Sequence, residues 1–460
     1  MDDLPAEIFA RIFEIGVHQW GIGFLPPLCL TCRGWYSVIE TTPRLWGILV
    51  LRKKMDLQTF QSHMRKAKSS PLSVTVLPRS SRIFDRSGLL ALTANWVYAS
   101  VPLSILKQTT WGQLSALQTL VLMGDTDPAS DPKTVDSFFE TTSTSSDTPK
   151  LKSLTVDNVS TLWIRRMLSP QISHFQMTRR TELPMRWWWM TVRERPCYRL
   201  SETLGCLSSI PNVDAVSLAN IDHCQCHPYN GALVRLDLLT VLQLNMVSNF
   251  PVIMVNIQAP ALQSLSITSS TATSHSSADY YHSWQVHYIS TNGSSDNTPI
   301  SAAFAEWSRS DSIPSQLTNL ELYHCLRKED MPYLIFWLRC LPKLARLSVG
   351  LDEDILDSGL SKDYDILWSL SVPYHVEDIA ERPVSWLCPS LIQLCIEGEV
   401  RVADLLSLAK ARNVGSNADL GQCPGKLRRI CASLCFSGSE EEIAELRCIV
   451  EDVDIKVFVT

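Results

Sequence analysis

The chain has 460 residues, 45% of them hydrophobic, and a formal net charge of −6 at pH 7, enough apolar material for about three domains on length alone. The slight acidity argues against general nucleic-acid affinity, which needs a basic surface. No apolar run reaches the eighteen or so residues of a membrane span, Met331–Leu338 being the densest, and the start has neither the basic nor the apolar part of a secretory signal.

Three helices are expected within Leu4–Leu51. Pro5 suits a first helical turn, where its missing N–H has no partner to lose, and Asp2, Asp3 and Glu7 place negative charge at the positive end of that helix. Ile8, Phe9, Ile12 and Phe13 then share a face. A second helix is predicted between Pro27 and Glu40, with Leu28, Cys32, Trp35 and Ile39 on one side. Thr42 reads as the N-cap and Pro43 as the first position of a third, short helix. The apolar, glycine-containing link Trp20–Phe24 leaves the path between the first two helices open. Three short helices cannot hide all these side chains from water, so neighbouring chain or a partner protein must cover the remainder. Ile12, Trp35 and Trp46 are expected inside, Leu4 and Pro5 less so.

Leu4-Pro5-x-Glu7-Ile8, then Cys32-Arg33-x-Trp35, then Leu45-Trp46 is an order and spacing that resembles the F-box. F-boxes bind a Skp-type adaptor, which links them to a cullin-based ubiquitin ligase. The resemblance therefore implies that Leu4, Pro5, Ile8, Cys32, Arg33 and Trp35 form or support an adaptor-binding surface.

After this element, Ile48–Leu51 is a predicted strand, Asp56 is expected to cap a helix running to Lys68, and Leu72, Val74 and Val76 alternate as a second strand. A Leu-x-x-Leu-x-Leu signal then recurs. It starts at Leu117, Leu151, Val213, Leu239, Leu262, Leu317, Leu344 and Leu391, with degenerate copies at Ile172 and Leu427. Pro149, Pro211, Pro260, Pro342 and Pro389 each stand two residues before the first apolar position. One such copy is noise; eight, five of them with proline in register, are not.

This pattern resembles the leucine-rich repeat, whose second and third apolar positions lie on one short strand and point inward. Asn158 and Asn220 fall one residue before the repeat's asparagine position and Cys325 falls at its cysteine position. The other copies lack either residue, which leaves the turn after their strands open. The spacing between copies is uneven. The fold class expected is therefore α/β: a three-helix F-box at 1–51, then an irregular leucine-rich-repeat solenoid, with a curved parallel sheet on one side and helices on the other. Residues 52–112 lead into the repeats, 113–436 carry them with Ser/Thr-rich loops at 141–148 and 268–298, and 437–460 add a capping helix and strand.

The search for chemistry yields little. His223-Cys224-Gln225-Cys226-His227 offers four His and Cys side chains, but five consecutive residues hardly reach tetrahedral geometry, so a polar loop is the simpler reading. Gly421-Gln422-Cys423-Pro424-Gly425 imitates a nucleophile elbow, yet Pro424 has no N–H for an oxyanion hole. Fourteen cysteines without an even framework fit reduced thiols in the cytosol or nucleus. No cofactor or metal is expected. Between Arg179 and Arg199, six arginines surround Trp187-Trp188-Trp189. This patch is either a solvated helix or loop with buried tryptophans, or a docking surface in which Arg186 and Trp188 hold an acidic peptide or bases.

If the register is right, Ser153, Thr155, Asp157, Gln243, Asn245, Glu321, Tyr323, Arg346, Gln393 and Glu397 face outward between the buried leucines. The expectation is a non-catalytic receptor of a Skp–cullin–F-box type ubiquitin ligase. Its F-box would hold the adaptor, and through it the cullin, while the sheet face holds an unidentified target protein. Rival readings are a repeat scaffold outside any ligase, an enzyme built on the middle Cys/His residues, and nucleic-acid binding through the Arg/Trp patch.

Overall fold

The computed structural model describes residues 4–51, 57–77, 80, 84–85, 87–124, 139, 150–179, 200–221, 232–247, 250–269, 300, 303–304, 315–326, 330–350, 365–374, 385–414, 424–436 and 438–457. The chain divides into two compact units, Met1–Pro196 and Cys197–Thr460.

The first unit opens with helices α1 (Ala6–Trp20), α2 (Leu25–Cys29), α3 (Arg33–Thr41) and α4 (Pro43–Trp46), followed by strand β1 (Ile48–Leu51) and helix α5 (Leu57–Ala67). The helix expected between Pro27 and Glu40 is thus two. The chain breaks at Leu30–Cys32 because Cys32 is extended (φ −158°, ψ 163°) and its thiol accepts the Trp35 N–H, starting α3 afresh. Thr42 does stand before α4, but its hydroxyl donates back to the Val38 carbonyl at 2.6 Å and does not cap. Asp56 lies outside the described residues. Strands β2 (Leu72–Val76), β3 (Trp96–Pro102), β4 (Thr119–Met123), β5 (Ser153–Asp157) and β6 (His174–Thr178) follow, with α6 (Leu103–Leu106) and α7 (Thr161–Met167) between them. From β1 to β6 each strand pairs parallel with the next in sequence.

The second unit repeats this plan. It contains α8 (Leu200–Ser208), β7 (Ala215–Ala219), the two-residue β8 (Val234–Arg235), β9 (Val241–Asn245), α9 (Phe250–Val255) and the two-residue β10 (Ile257–Gln258). Then come β11 (Ser264–Thr268), β12 (Asn319–Tyr323), α10 (Met331–Arg339), β13 (Arg346–Gly350), α11 (Ile366–Ser371), β14 (Gln393–Arg401), α12 (Val402–Asn413), β15 (Arg429–Phe436), α13 (Glu440–Ile449) and β16 (Asp452–Val457). β7, β9 and β11 to β16 stack in parallel, in sequence order; β8 and β10 pair separately.

The recurrent signal explains each step. The first apolar position closes a tight turn: the N–H of Val213, Leu262, Leu344 and Leu391 donates to the carbonyl three residues back, with Pro211, Pro260, Pro342 and Pro389 second in the turn. Proline is preset for that place by its fixed φ. The second and third apolar positions then occupy a strand and are buried throughout, from Leu120 and Leu122 to Leu394 and Ile396. The degenerate copies behave alike, since Phe175, Met177 and Ile430 are buried on β6 and β15. β3 carries no such signal and is held by Trp96, Ala99 and Val101.

Four of the described steps also end in one way. Asn158, Asn220, Met246 and His324, the residues directly after β5, β7, β9 and β12, all take φ between 51° and 56°. The bend turns the N–H of the first three onto the last carbonyl of the following strand: Thr178 at 3.0 Å, Asn245 at 2.8 Å and Thr268 at 2.5 Å. The asparagines thus mark a real left-handed turn, and copies without asparagine make it too.

Candidate functional site

Two surfaces merit description, one in each unit. The first is α1 with its neighbours. Pro5 precedes the helix with extended geometry, its carbonyl taking the N–H of Ile8 at 3.0 Å. Phe9 and Phe13 turn inward against Trp35, with ring centroids 6.0 and 5.3 Å from its ring. Gly16 makes room for Phe24, whose ring edge lies where a side chain would be. Trp46 is buried, its Nε1–H donates to the Ile39 carbonyl at 2.9 Å, and Lys66 of α5 lies 4.0 Å over its ring while pairing with Glu40. This joint ties α3, α4 and α5 together.

The opposite side of α1 is only half covered. Leu4, Ile8, Ile12 and Ile15 recur at helical spacing and each leaves 46–50% of its surface exposed. Leu30 is 89% exposed in the α2–α3 link, and Tyr36 on α3 is exposed as well. Ile12 was expected inside; Phe9, Phe13 and Val17 occupy the inward stripe instead, and the helix turns Ile12 away. Trp35 is half-buried inside the helical element, whereas Pro5, Cys32 and Arg33 are exposed. Scattered exposed apolar residues are ordinary; here four of them align along one helix. Burial, then the Glu40 charge, raises the Cys29 thiol above its ordinary range.

The second surface is the solvent side of β11–β15. Arg346, Gln393 and Arg429 form one row in register; Glu321, Ser348, Cys395 and Cys431 form the next. In the third, Glu397 pairs with Gly350, and Gly350 leaves space for Tyr323, whose Cδ1 would lie 3.3 Å from an added Cβ. Burial foremost raises the Tyr323 phenol, against a hydrogen bond with Ser348, and the Glu321 charge adds to the rise. Glu321 accepts the Ser266 hydroxyl at 2.9 Å. The predicted residues Tyr323, Glu321, Arg346, Gln393 and Glu397 therefore share one face. Arg429, Cys395 and Cys431 belong to it too and were missed in the sequence. Cys395 was legible by period two between Gln393 and Glu397, while Cys431 sits in a degenerate copy.

Arg186, Trp188 and the rest of the Arg/Trp patch from Arg180 to Arg199 lie outside the described residues, as does His223–His227. Among the described residues, no three His, Cys, Asp or Glu side chains group to hold a metal, and no helix is long and apolar enough to cross a membrane. A cleft of about 670 Å³ runs from Trp20 and Gly21 to Ser73 and Tyr98, with Glu14 and Arg44 as its charged walls; two charges of opposite sign do not single out a ligand. No family model matches the chain, and neither does any curated protein.

Proposed function

We propose that this chain is the target-recognition subunit of a Skp–cullin–F-box type ubiquitin ligase, with α1–α4 docking the adaptor and the β11–β15 face holding a target protein. The observation that carries the reading is the half-exposed stripe Leu4, Ile8, Ile12 and Ile15 on a helix whose inward side buries Phe13 and Val17. Its support is the resemblance of Leu4-Pro5-x-Glu7-Ile8, Cys32-Arg33-x-Trp35 and Leu45-Trp46 to the F-box. In this role the chain supplies proximity: it raises the local concentration of target lysines near a charged conjugating enzyme and needs no nucleophile of its own.

Co-purification with a recombinant Skp-type adaptor tests the proposal. Ile8→Asp and Ile12→Asp should each weaken binding by about thirtyfold or more, the loss of an interface hot spot of roughly 2 kcal/mol. Both positions are half in water, so circular dichroism should remain unchanged. Adaptor binding that survives removal of residues 1–51 would refute the docking surface, and adaptor binding without cullin capture would leave a scaffold outside the ligase.

A further inference from the structure

The register of the second unit sets Cys395 on β14 directly opposite Cys431 on β15, both half-buried and both on the solvent side of the sheet. Directly opposed residues on neighbouring strands lie about 4.8 Å apart, inside the roughly 4.4–6.8 Å between Cα atoms that a disulfide spans. Each sulfur also has its own donor: Gln393 Nε2 at 3.4 Å from the Cys395 sulfur, and Arg429 Nε at 3.3 Å from that of Cys431. Among the described residues this is the one cysteine pair set across adjacent strands. The two strands leave perfect register soon afterwards, between Glu397 and Val400 on β14 and between Ser433 and Cys435 in the pairing of β15 with β16. The backbone just beyond the pair is therefore not held by an unbroken ladder.

We propose that Cys395 and Cys431 are a peroxide-oxidised dithiol, which closes to a disulfide joining β14 to β15 in the middle of the exposed face. The Cys395 thiolate attacks hydrogen peroxide, forming sulfenic acid and releasing hydroxide. The Cys431 sulfur then displaces the sulfenyl oxygen, giving the S–S bond and, with the Cys431 proton, one water. In total two thiols lose two hydrogens and one peroxide becomes two waters. Burial above all holds Cys431 above the ordinary thiol range, with Arg429 opposing and the Cys395 thiol adding to the rise. In this assignment Cys431 is the resolving partner. Two equivalents of a small monothiol reverse the reaction by exchange. The dithiol does not depend on the receptor reading, and its test does not involve an adaptor.

The test uses the full reduced chain, exposed to hydrogen peroxide, blocked with N-ethylmaleimide and digested without reductant. Mass spectrometry should find the Cys395 and Cys431 peptides joined, two hydrogens lighter than their sum, with maleimide labelling of both lost together and restored by dithiothreitol. Cys431→Ser should drive Cys395 on to sulfinate, and Cys395→Ser should leave Cys431 open to maleimide. The wild-type result decides the matter even if a variant folds poorly. Both thiols still labelled when the exposed Cys448 is already oxidised, or Cys395 sulfinate in the wild-type chain, would overturn the proposal.

Discussion

Arg412 is a buried cation whose hydrogen-bond acceptors are all main-chain carbonyls: Leu370 at 3.3 Å, Leu387 at 3.1 Å, Cys388 at 2.8 Å and Gly425 at 3.5 Å. Burial draws its guanidinium down to about 10, with Cys388 opposing, so it stays charged at neutral pH. Its fork stitches α11, α12 and the turn before β14, where Cys388 takes φ 47°. Arg412→Leu leaves those carbonyls buried and unpaired and should cost about 3 kcal/mol or more in urea unfolding; Arg412→Lys, with one compact ammonium, should lose part of that. His63 makes the opposite kind of case. Burial, and then the Lys66 charge, hold its imidazole below the ordinary value, and its Nδ1 is buried without a partner beside the Trp46 ring. The folded chain therefore binds fewer protons here than the unfolded chain. The contribution of this site to stability should be complete at neutral pH and fall away as pH drops below about 6.5. Melting temperatures of wild type and His63→Phe, taken from pH 7 down to 5, should diverge, with the variant flatter.

Among the elements, the strand–turn unit decides most. At four strand ends a left-handed residue follows, with asparagine, methionine or histidine in the place, whereas Ser269 after β11 sends its N–H to the Tyr323 carbonyl at 2.9 Å without that turn. Met246 takes φ 53° with a side chain ill-suited to it. Met246→Asn should stabilise the chain by about 0.5–1 kcal/mol, read by denaturant midpoint. Gly124, just after β4, sends its N–H to the Asp157 carbonyl without that left-handed turn, and an added Cβ there would collide with the Asn158 carbonyl oxygen. Gly124→Ala should therefore destabilise by about 2 kcal/mol, the cost of forcing backbone apart in a packed corner. α1 shows a different economy, since one helix face builds the module and the other, bearing Ile8 and Ile12, stays available for the proposed adaptor.

Within each unit, parallel strands added in sequence order make stability cumulative, each step burying the apolar edge of the one before. The last step shows this. Ser439 and Glu442 form a capping box that starts α13, Leu446 and Val450 are buried, and β16 pairs along β15. Asn413 of α12 reaches both the Leu427 carbonyl at 2.8 Å and the Ile449 carbonyl at 3.0 Å. On β16, Asp452, Asp454 and Lys456 stand exposed, charges that discourage further pairing. Ending the chain after Gly438 should uncover β15 and the helices behind it. Soluble yield should fall and light scattering rise on storage, with no such change for Asp454→Asn.

The strands were legible wherever leucine spacing and proline coincided, because a preset turn followed by period-two burial is a local instruction. So were the short third helix, the C-terminal helix and strand, and the outward row Glu321, Tyr323, Arg346, Gln393 and Glu397. Local pattern did not reveal β3, which lacks the leucines, or the break at Leu30–Cys32, which depends on a thiol capping the next helix. Nor could it tell Ile12 from Phe13. Both are apolar at helical spacing, and only the packing of Trp35 against one side of α1 decided which of them faces water. The juxtaposition of Cys395 with Cys431 is of the same kind. Period two fixes the side of the sheet to which each thiol points, but which thiols become neighbours is set by strand register, and register exists only once the chain has folded.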